Sequence, residues 1–294
     1  MENLQNYEKA GQIAREVLEY GKSLIKKDAS LLDVTKKVEA KIFELNAKPA
    51  FPVQISMNDI AAHYCAEPDD KTVFSDQLVS LDVGVHVDGF IGDNACTVDL
   101  SEKNKELVEA SRKALDNAIK VIQVGTTLSE IGKTIGETIE SYGFKPVRNL
   151  SGHGLDEYNI HCPPTVPNFD TKDETQLEKG QAIAIEPFAT NGIGLIHEKG
   201  LPDVFSITEA RSVRIEFVRQ ILNRIDKFNG LPFAKRWLSE QFSLAKVNLA
   251  LSQFKKLGIL KEYPPLVEKS NGLVSQAEHS LLVDDKVKVL TEIS

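Results

Sequence analysis

The chain has 294 residues, enough for one large domain or two smaller ones with ample core. Its 41% hydrophobic and 27% charged content is that of a soluble globular protein, and a net charge of -8 argues against general binding to nucleic acid or anionic membranes. Cys65, Cys96 and Cys162 are too few and too scattered for a disulfide framework; with no CxxC, signal-peptide core or membrane-length apolar run, a reducing cytoplasm fits.

Apolar residues recur at helical spacing from about Tyr7 to Ile25. A second helix begins near Ser30, a suitable N-cap, and carries Val34, Val38, Ile42 and Leu45 on one stripe. The stretch AKPAFPVQIS reads as an extended, Pro-containing strand. Strand-rich sequence then leads into LVSLDVGVHVDGFIGDNACTVDL, Leu78 to Leu100. Asp88-Gly89 is a strong two-residue hairpin signal, because type I′ turns need φ > 0 at both central residues. With the turn there, Asp82 lies opposite Ala95, and Asp93 shares the face of Asp82. Two like charges on one face repel unless that face is wet or a cation lies between them.

Helices follow from Ser101 to Val121 and from about Thr127 to Tyr142. The second of these repeats the earlier one: Leu31, Val34, Val38, Ile42, Lys48 and Pro49 match Leu128, Ile131, Ile135, Ile139, Lys145 and Pro146 at one offset, 128 − 31 = 146 − 49 = 97. This predicts a duplicated helix–helix–strand unit related by a pseudo-two-fold axis, with a site drawing residues from both halves. Arg148 to Phe169, RNLSGHGLDEYNIHCPPTVPNF, reads as a Gly/Pro-broken loop region. Ala182 to Glu186 is a strand ending at Pro187. From about Arg211 to Lys256 the chain reads as helical and basic, an inserted subdomain, before strands return in GLVSQAEHSLLVDDKVKVLTEI.

His153 in SGHG, His161 in NIHC, Glu186 after AIAI and Glu278 within SQAEHSLLV stand out beside the two aspartates. Singly, a strand-end glutamate is ordinarily a surface residue and a loop histidine idle. Together, Asp82, Asp93, His153, Glu186 and Glu278 fit a hard, carboxylate-rich dinuclear metal site, and the cations would remove the repulsion in the hairpin.

The motifs NDIAAHY, SLDVGVHVDGFIGDNACTVDL, SGHGL with NIH, AIEPFAT and QAEHSLLV resemble, in order and spacing, those of the methionine aminopeptidases. LPFAKRWL and EYPPL in and after the basic insertion resemble the type II branch in its archaeal form. The resemblance covers essentially the whole chain. It implies an α/β (α+β) fold, the duplicated pita-bread with pseudo-two-fold symmetry. Residues 1–294 would form a single catalytic domain, with an inserted helical subdomain at about 195–260.

The resemblance further implies that Asp82, Asp93, His153, Glu186 and Glu278 ligate two divalent ions, with Asp93 and Glu278 bridging. Co, Mn, Fe and Zn all suit that set. The implied activity is hydrolytic removal of the N-terminal methionine of nascent polypeptides by metal-activated water. Glu186 would shuttle protons. His63 and His161 would stabilise the oxyanion or hold the substrate backbone. Phe51, Ile160 and Tyr263 would line the methionine pocket. On their own terms His63 reads as a core histidine, Phe51 and Tyr263 as core aromatics, and the basic insertion as a solvated face rather than a ribosome-facing one. A cytoplasmic monomer with no specific nucleic-acid or membrane partner is expected. A proline-specific aminopeptidase or dipeptidase of the same fold, and a non-enzymatic binding protein that has lost its ligands, are the rival readings.

Overall fold

The computed structural model describes residues 2–209 and 211–292. Four helices flank a large curved sheet: α1 (Glu2–Leu24), α2 (Leu31–Glu44), α3 (Lys105–Val121) and α4 (Leu128–Ser141). The expected duplication is present. α2 and α4 are both 14 residues long, and their starts differ by 128 − 31 = 97. The Lys-Pro strands Lys48–Pro49 and Lys145–Pro146 differ by 145 − 48 = 97. Their N-caps correspond as well: Ser30 accepts from the Asp33 N–H, and Thr127 accepts from the Glu130 N–H in a full capping box.

All pairings in the nine-stranded sheet are antiparallel. Strand Glu278–Leu282 is its keystone. On one side it pairs with Phe90–Asp99, which continues to Leu78–Val87 and Lys48–Pro49. On the other it pairs with Ala182–Ile185, which continues to the hairpin Ser151–Asp156 and Asn159–Pro167. One late strand therefore joins the two halves edge to edge.

Alternation along the strands separates two faces. Val79, Leu81, Val83 and Val85 pack with Val17, Val34, Val38 and Ile42 of α1 and α2 in one core cluster. Ile183, Ile185 and Leu281 pack with Leu115, Ile131, Ile135 and Ile139 of α3 and α4 in another. Asp82, Ala184 and Glu186 lie one position away and Glu278 three, while Asp93 shares the face of Asp82 through Ala95, so all five are left on the opposite face. Burying an apolar side chain such as Val38 or Ile131 contributes roughly 1.5–3 kcal/mol each, which strongly fixes the register that sends the carboxylates the other way.

The predicted hairpin forms as read, with Asp88 at φ 49 and Gly89 at φ 94, Val87 facing Phe90 and Asp82 facing Ala95. Other segments differ from the sequence reading. Arg148 to Phe169 is not a loop region. It holds a second hairpin turning at Glu157 and Tyr158, the latter at φ 52. Its glycines permit close strand packing rather than breaks: a Cβ on Gly152 would lie 2.2 Å from the Ala184 carbonyl oxygen, and one on Gly154 2.2 Å from that of Pro163. AKPAFPVQIS is two short strands, Lys48–Pro49 and Gln54–Met57, because the second proline and its neighbours turn the chain between them. α3 starts at Lys105, since the Asp99 carboxylate holds the Ser101 and Asn104 N–H groups in a turn before it.

The basic segment is mixed rather than purely helical. Strand Val204–Ile207 pairs with Phe233–Ala234 and Leu260–Tyr263, and α5 (Glu216–Ile225), α6 (Lys235–Ser239) and α7 (Leu244–Lys256) pack with it. Phe205, Val218, Ile221, Phe233, Leu238, Val247 and Phe254 form its separate apolar cluster. No helix among the described residues is long and apolar enough to cross a membrane.

Candidate metal centre

The sheet register assembles the five predicted ligands on one face. Ala95 stands between Asp82 and Glu278, pairing with both. His153 pairs with Ala184, and Glu186 lies two residues beyond Ala184 on the same face. The His153 Nε2 lies 3.8 Å from Asp93 Oδ2 and 3.6 Å from Glu186 Oε1. One ligand atom each of Asp93, His153 and Glu278 falls within 4.8 Å of the other two. The Gln276 Nε2 reaches 3.5 Å from both Asp82 Oδ2 and Glu186 Oε2, spanning the outer carboxylates.

Four carboxyl groups share this buried space, and the electrostatics reflect it. Burial pushes the Asp82 carboxyl up to about 7. Burial and then Asp82 push Asp93 well above the carboxylate range. Glu186 and Glu278 rise for the same two reasons, burial first and the neighbouring carboxylates second. Asp82 Oδ1 and Asp93 Oδ1 are buried without a hydrogen-bond partner. An orphaned carboxylate oxygen is costly in a protein interior unless a cation completes it.

The histidine is prepared in a complementary way. His153 Nδ1 lies 3.2 Å from the Gly154 carbonyl oxygen, which only accepts, so Nδ1 carries the proton. Nε2 then presents a lone pair toward Asp93 and Glu186, and burial holds the ring's pKa down to about 4, so it stays neutral. Orphaned oxygens, crowded carboxylates and an imidazole with its Nε2 lone pair free fit a divalent cation.

The same cleft, about 570 Å³, brings in every remaining predicted residue: His63, His161, Phe51, Ile160 and Tyr263. The His161 ring stands edge-on to His153 with centroids 4.6 Å apart, and burial followed by His153 lowers its pKa to about 3. His63 packs against Tyr263 at 5.7 Å, and burial lowers it to about 4. Phe51 lies over Gly84, where an added Cβ would meet its ring at 2.1 Å; glycine there lets the ring settle beside the aspartates.

His279 is excluded from the site. It points to the other face, between Thr291 Oγ1 at 2.8 Å and Arg112 at 3.0 Å. Sequence reasoning missed Gln276, whose signal was its period-two spacing from Glu278, and Gln54, whose Oε1 accepts the His63 backbone N–H at 2.7 Å. It also missed Lys261 and Glu262 in the cleft wall, which carried no signal beyond ordinary surface charge.

Comparison with known proteins agrees with this geometry. Residues 5–218 match Metallopeptidase family M24, and the chain belongs to that family. Within it, the chain belongs with the methionine aminopeptidases. The methionine aminopeptidase of Archaeoglobus fulgidus is 43% identical over 96% of this chain and 96% of its own length. That of Methanocaldococcus jannaschii is 41% identical over 98% and 99%. The crystal structure of the Thermotoga maritima methionine aminopeptidase has a TM-score of 0.73 and 24% identity, covering 99% of this chain and 97% of that one, a likeness of fold. The fold is thus the duplicated pita-bread of this family.

Proposed function

We propose that the chain removes N-terminal methionine from peptides and nascent proteins, with two divalent ions held by Asp82, Asp93, His153, Glu186 and Glu278. The observation that carries the reading is the cluster of orphaned carboxylate oxygens and a lone-pair-bearing imidazole on the floor of a cleft. Asp93 and Glu278 lie centrally and suit a bridging role. Asp82 on one side, and His153 with Glu186 on the other, suit one ion each. When bound, such ions polarise a carbonyl and make a water acidic near neutral pH.

The remaining roles belong to the protein. Glu186 stands on the cleft floor 3.6 Å from His153 Nε2, where its carboxylate can take a water's proton and pass it to the leaving amine. His161 is neutral and donates one N–H to the scissile carbonyl oxygen as charge develops there. His63 has its Nδ1–H on the Pro264 carbonyl at 3.2 Å, so its Nε2 is an acceptor. That polarity suits a substrate backbone N–H and not an oxyanion. Phe51, Ile160 and Tyr263 offer an apolar slot for a flexible thioether side chain.

We also read residues 1–294 as one catalytic domain with an insertion at about 195–260, supported by the separate apolar cluster in that segment. A cytoplasmic monomer is the expected form; Cys65, Cys96 and Cys162 are all free thiols. Arg219, Lys227, Lys246 and Lys256 are exposed on the insertion, as a solvated basic face would be; contact with the ribosome is the alternative use of that face. Chelation followed by readdition of single divalent ions tests the core of the reading. Met-Ala-Ser should be cleaved only with metal, and Ala-Pro peptides poorly. Metal-independent cleavage, or a preference for Ala-Pro, would reject it.

A further inference from the structure

We infer that the inserted segment positions His63, and that the buried Arg236–Glu39 ion pair is the clamp that fixes it. This rests on the reading that His63 touches the substrate. His63 sits at φ 65, in the left-handed region that only a minority of non-glycine residues enter, so contacts from its surroundings help to hold it there. The core sheet supplies two of the ties: Gln54 Oε1 accepts the His63 N–H at 2.7 Å, and the Tyr64 carbonyl accepts the Ile55 N–H at 3.0 Å. The others come from the insertion and its end. The Pro264 carbonyl accepts the ring Nδ1–H. Cys65, two residues on, is 4% exposed and plugs a cluster with Val204, Ala234, Trp237 and Tyr263. The Ala66 carbonyl accepts from Arg236 Nε at 3.4 Å.

Arg236 then ties the insertion to the first half of the fold. Its two terminal nitrogens donate to the two Glu39 carboxylate oxygens of α2 at 2.8 Å each, and Trp237 Nε1 donates to the same carboxylate at 3.1 Å. Arg236 is 2% exposed and Glu39 6%. A buried ion pair of this kind is poor evidence of stabilisation, since a well-packed apolar pair often serves as well. What a bidentate fork adds is fixed orientation. The neighbouring Lys235 N–H donates to the Asp203 carbonyl at 2.9 Å, pinning the start of α6 from its other side. α6 is thus held between the core and the His63 segment, and Arg236 is a positioning residue for His63 and not part of the reacting site.

The test is a double-mutant cycle on the full chain loaded with metal. Arg236→Lys keeps the charge and loses the fork. It should lower kcat on Met-Ala-Ser by about ten- to a hundredfold, the scale of a misplaced contact group, with metal content unchanged. In a His63→Ala background the same change should cost almost nothing further, because its effect on rate runs through His63. Glu39→Gln with Arg236→Met leaves no orphaned charge. It guards against a simple folding failure and should reproduce the loss and its dependence on His63. Equal fold-losses with and without His63 would show a merely structural clamp and overturn the proposal, as would normal kcat in both Arg236 variants beside an impaired His63→Ala. Normal turnover in His63→Ala itself would overturn the reading of His63, and this inference with it.

Discussion

Glu278→Gln separates metal binding from folding, because the two should move in opposite directions. Glu278 is 2% exposed, pairs through its strand with Ala95, and has its carboxyl pushed up by burial, Asp93, Glu186 and Asp82. Glutamine keeps the shape and cannot ionise, whereas burial beside three other carboxyls opposes ionisation of Glu278 in the metal-free protein. The metal-free variant should therefore unfold at a temperature no lower than the parent's near about pH 8. Loss of a direct ligand should weaken metal binding by at least about a hundredfold, since even outer-shell partners are worth ten- to a hundredfold. At a metal concentration about 100 times the parent's dissociation constant, metal stabilises the parent by ~2.7 kcal/mol and the variant by ~0.4 kcal/mol. For a chain of this size that is a gain of roughly 4–5 °C falling to under about 1 °C. Scanning calorimetry with and without metal reads both quantities. A variant that keeps the full metal-dependent gain would refute the ligand role. One much less stable than the parent without metal would refute the electrostatic argument.

His161→Ala should retain the parent's metal content and lose about two to three orders of magnitude in kcat, measured by steady-state kinetics beside elemental analysis. Between about pH 4 and 6.5 the lowered histidines gain stability as pH rises while the raised carboxyls lose it, and the two offset. Above about 6.5 the histidine gain is complete and only the loss remains, as Asp82, raised to about 7, and the other raised carboxyls finish ionising, so metal-free stability should fall there. Metal should reverse that slope because it binds the deprotonated ligands, as thermal melts across pH would show. Gly84→Ala should drive the Phe51 ring from its seat, raising KM for methionyl peptides more than it lowers metal affinity; a kinetic and calorimetric comparison checks this.

The parts of the fold legible in the sequence were those specified locally. Asp88-Gly89 dictates one turn, and that turn dictates the whole register from Asp82 to Ala95. The two capped helices and their Lys-Pro strands repeat at a constant offset because each copy makes the same contacts. The second hairpin was hidden because its glycines and prolines carry the signals of a loop while serving close interstrand contact at Gly152 and Gly154. The five ligands stood out as charges in apolar strands, but their convergence depends on Glu278–Leu282 joining distant strands, which no local pattern specifies. Arg236 read as one more exposed base of a basic segment; only its fork on Glu39, 197 residues away in sequence, shows it to be buried.

The most direct test of the account is X-ray diffraction from crystals soaked in Mn²⁺ or Co²⁺, recorded at the metal's absorption edge. Two anomalous peaks should appear between the strands, one shared by Asp82, Asp93 and Glu278, the other by Asp93, His153, Glu186 and Glu278. A single weak peak elsewhere on the surface, or none in the cleft of a protein that still releases methionine, would contradict it.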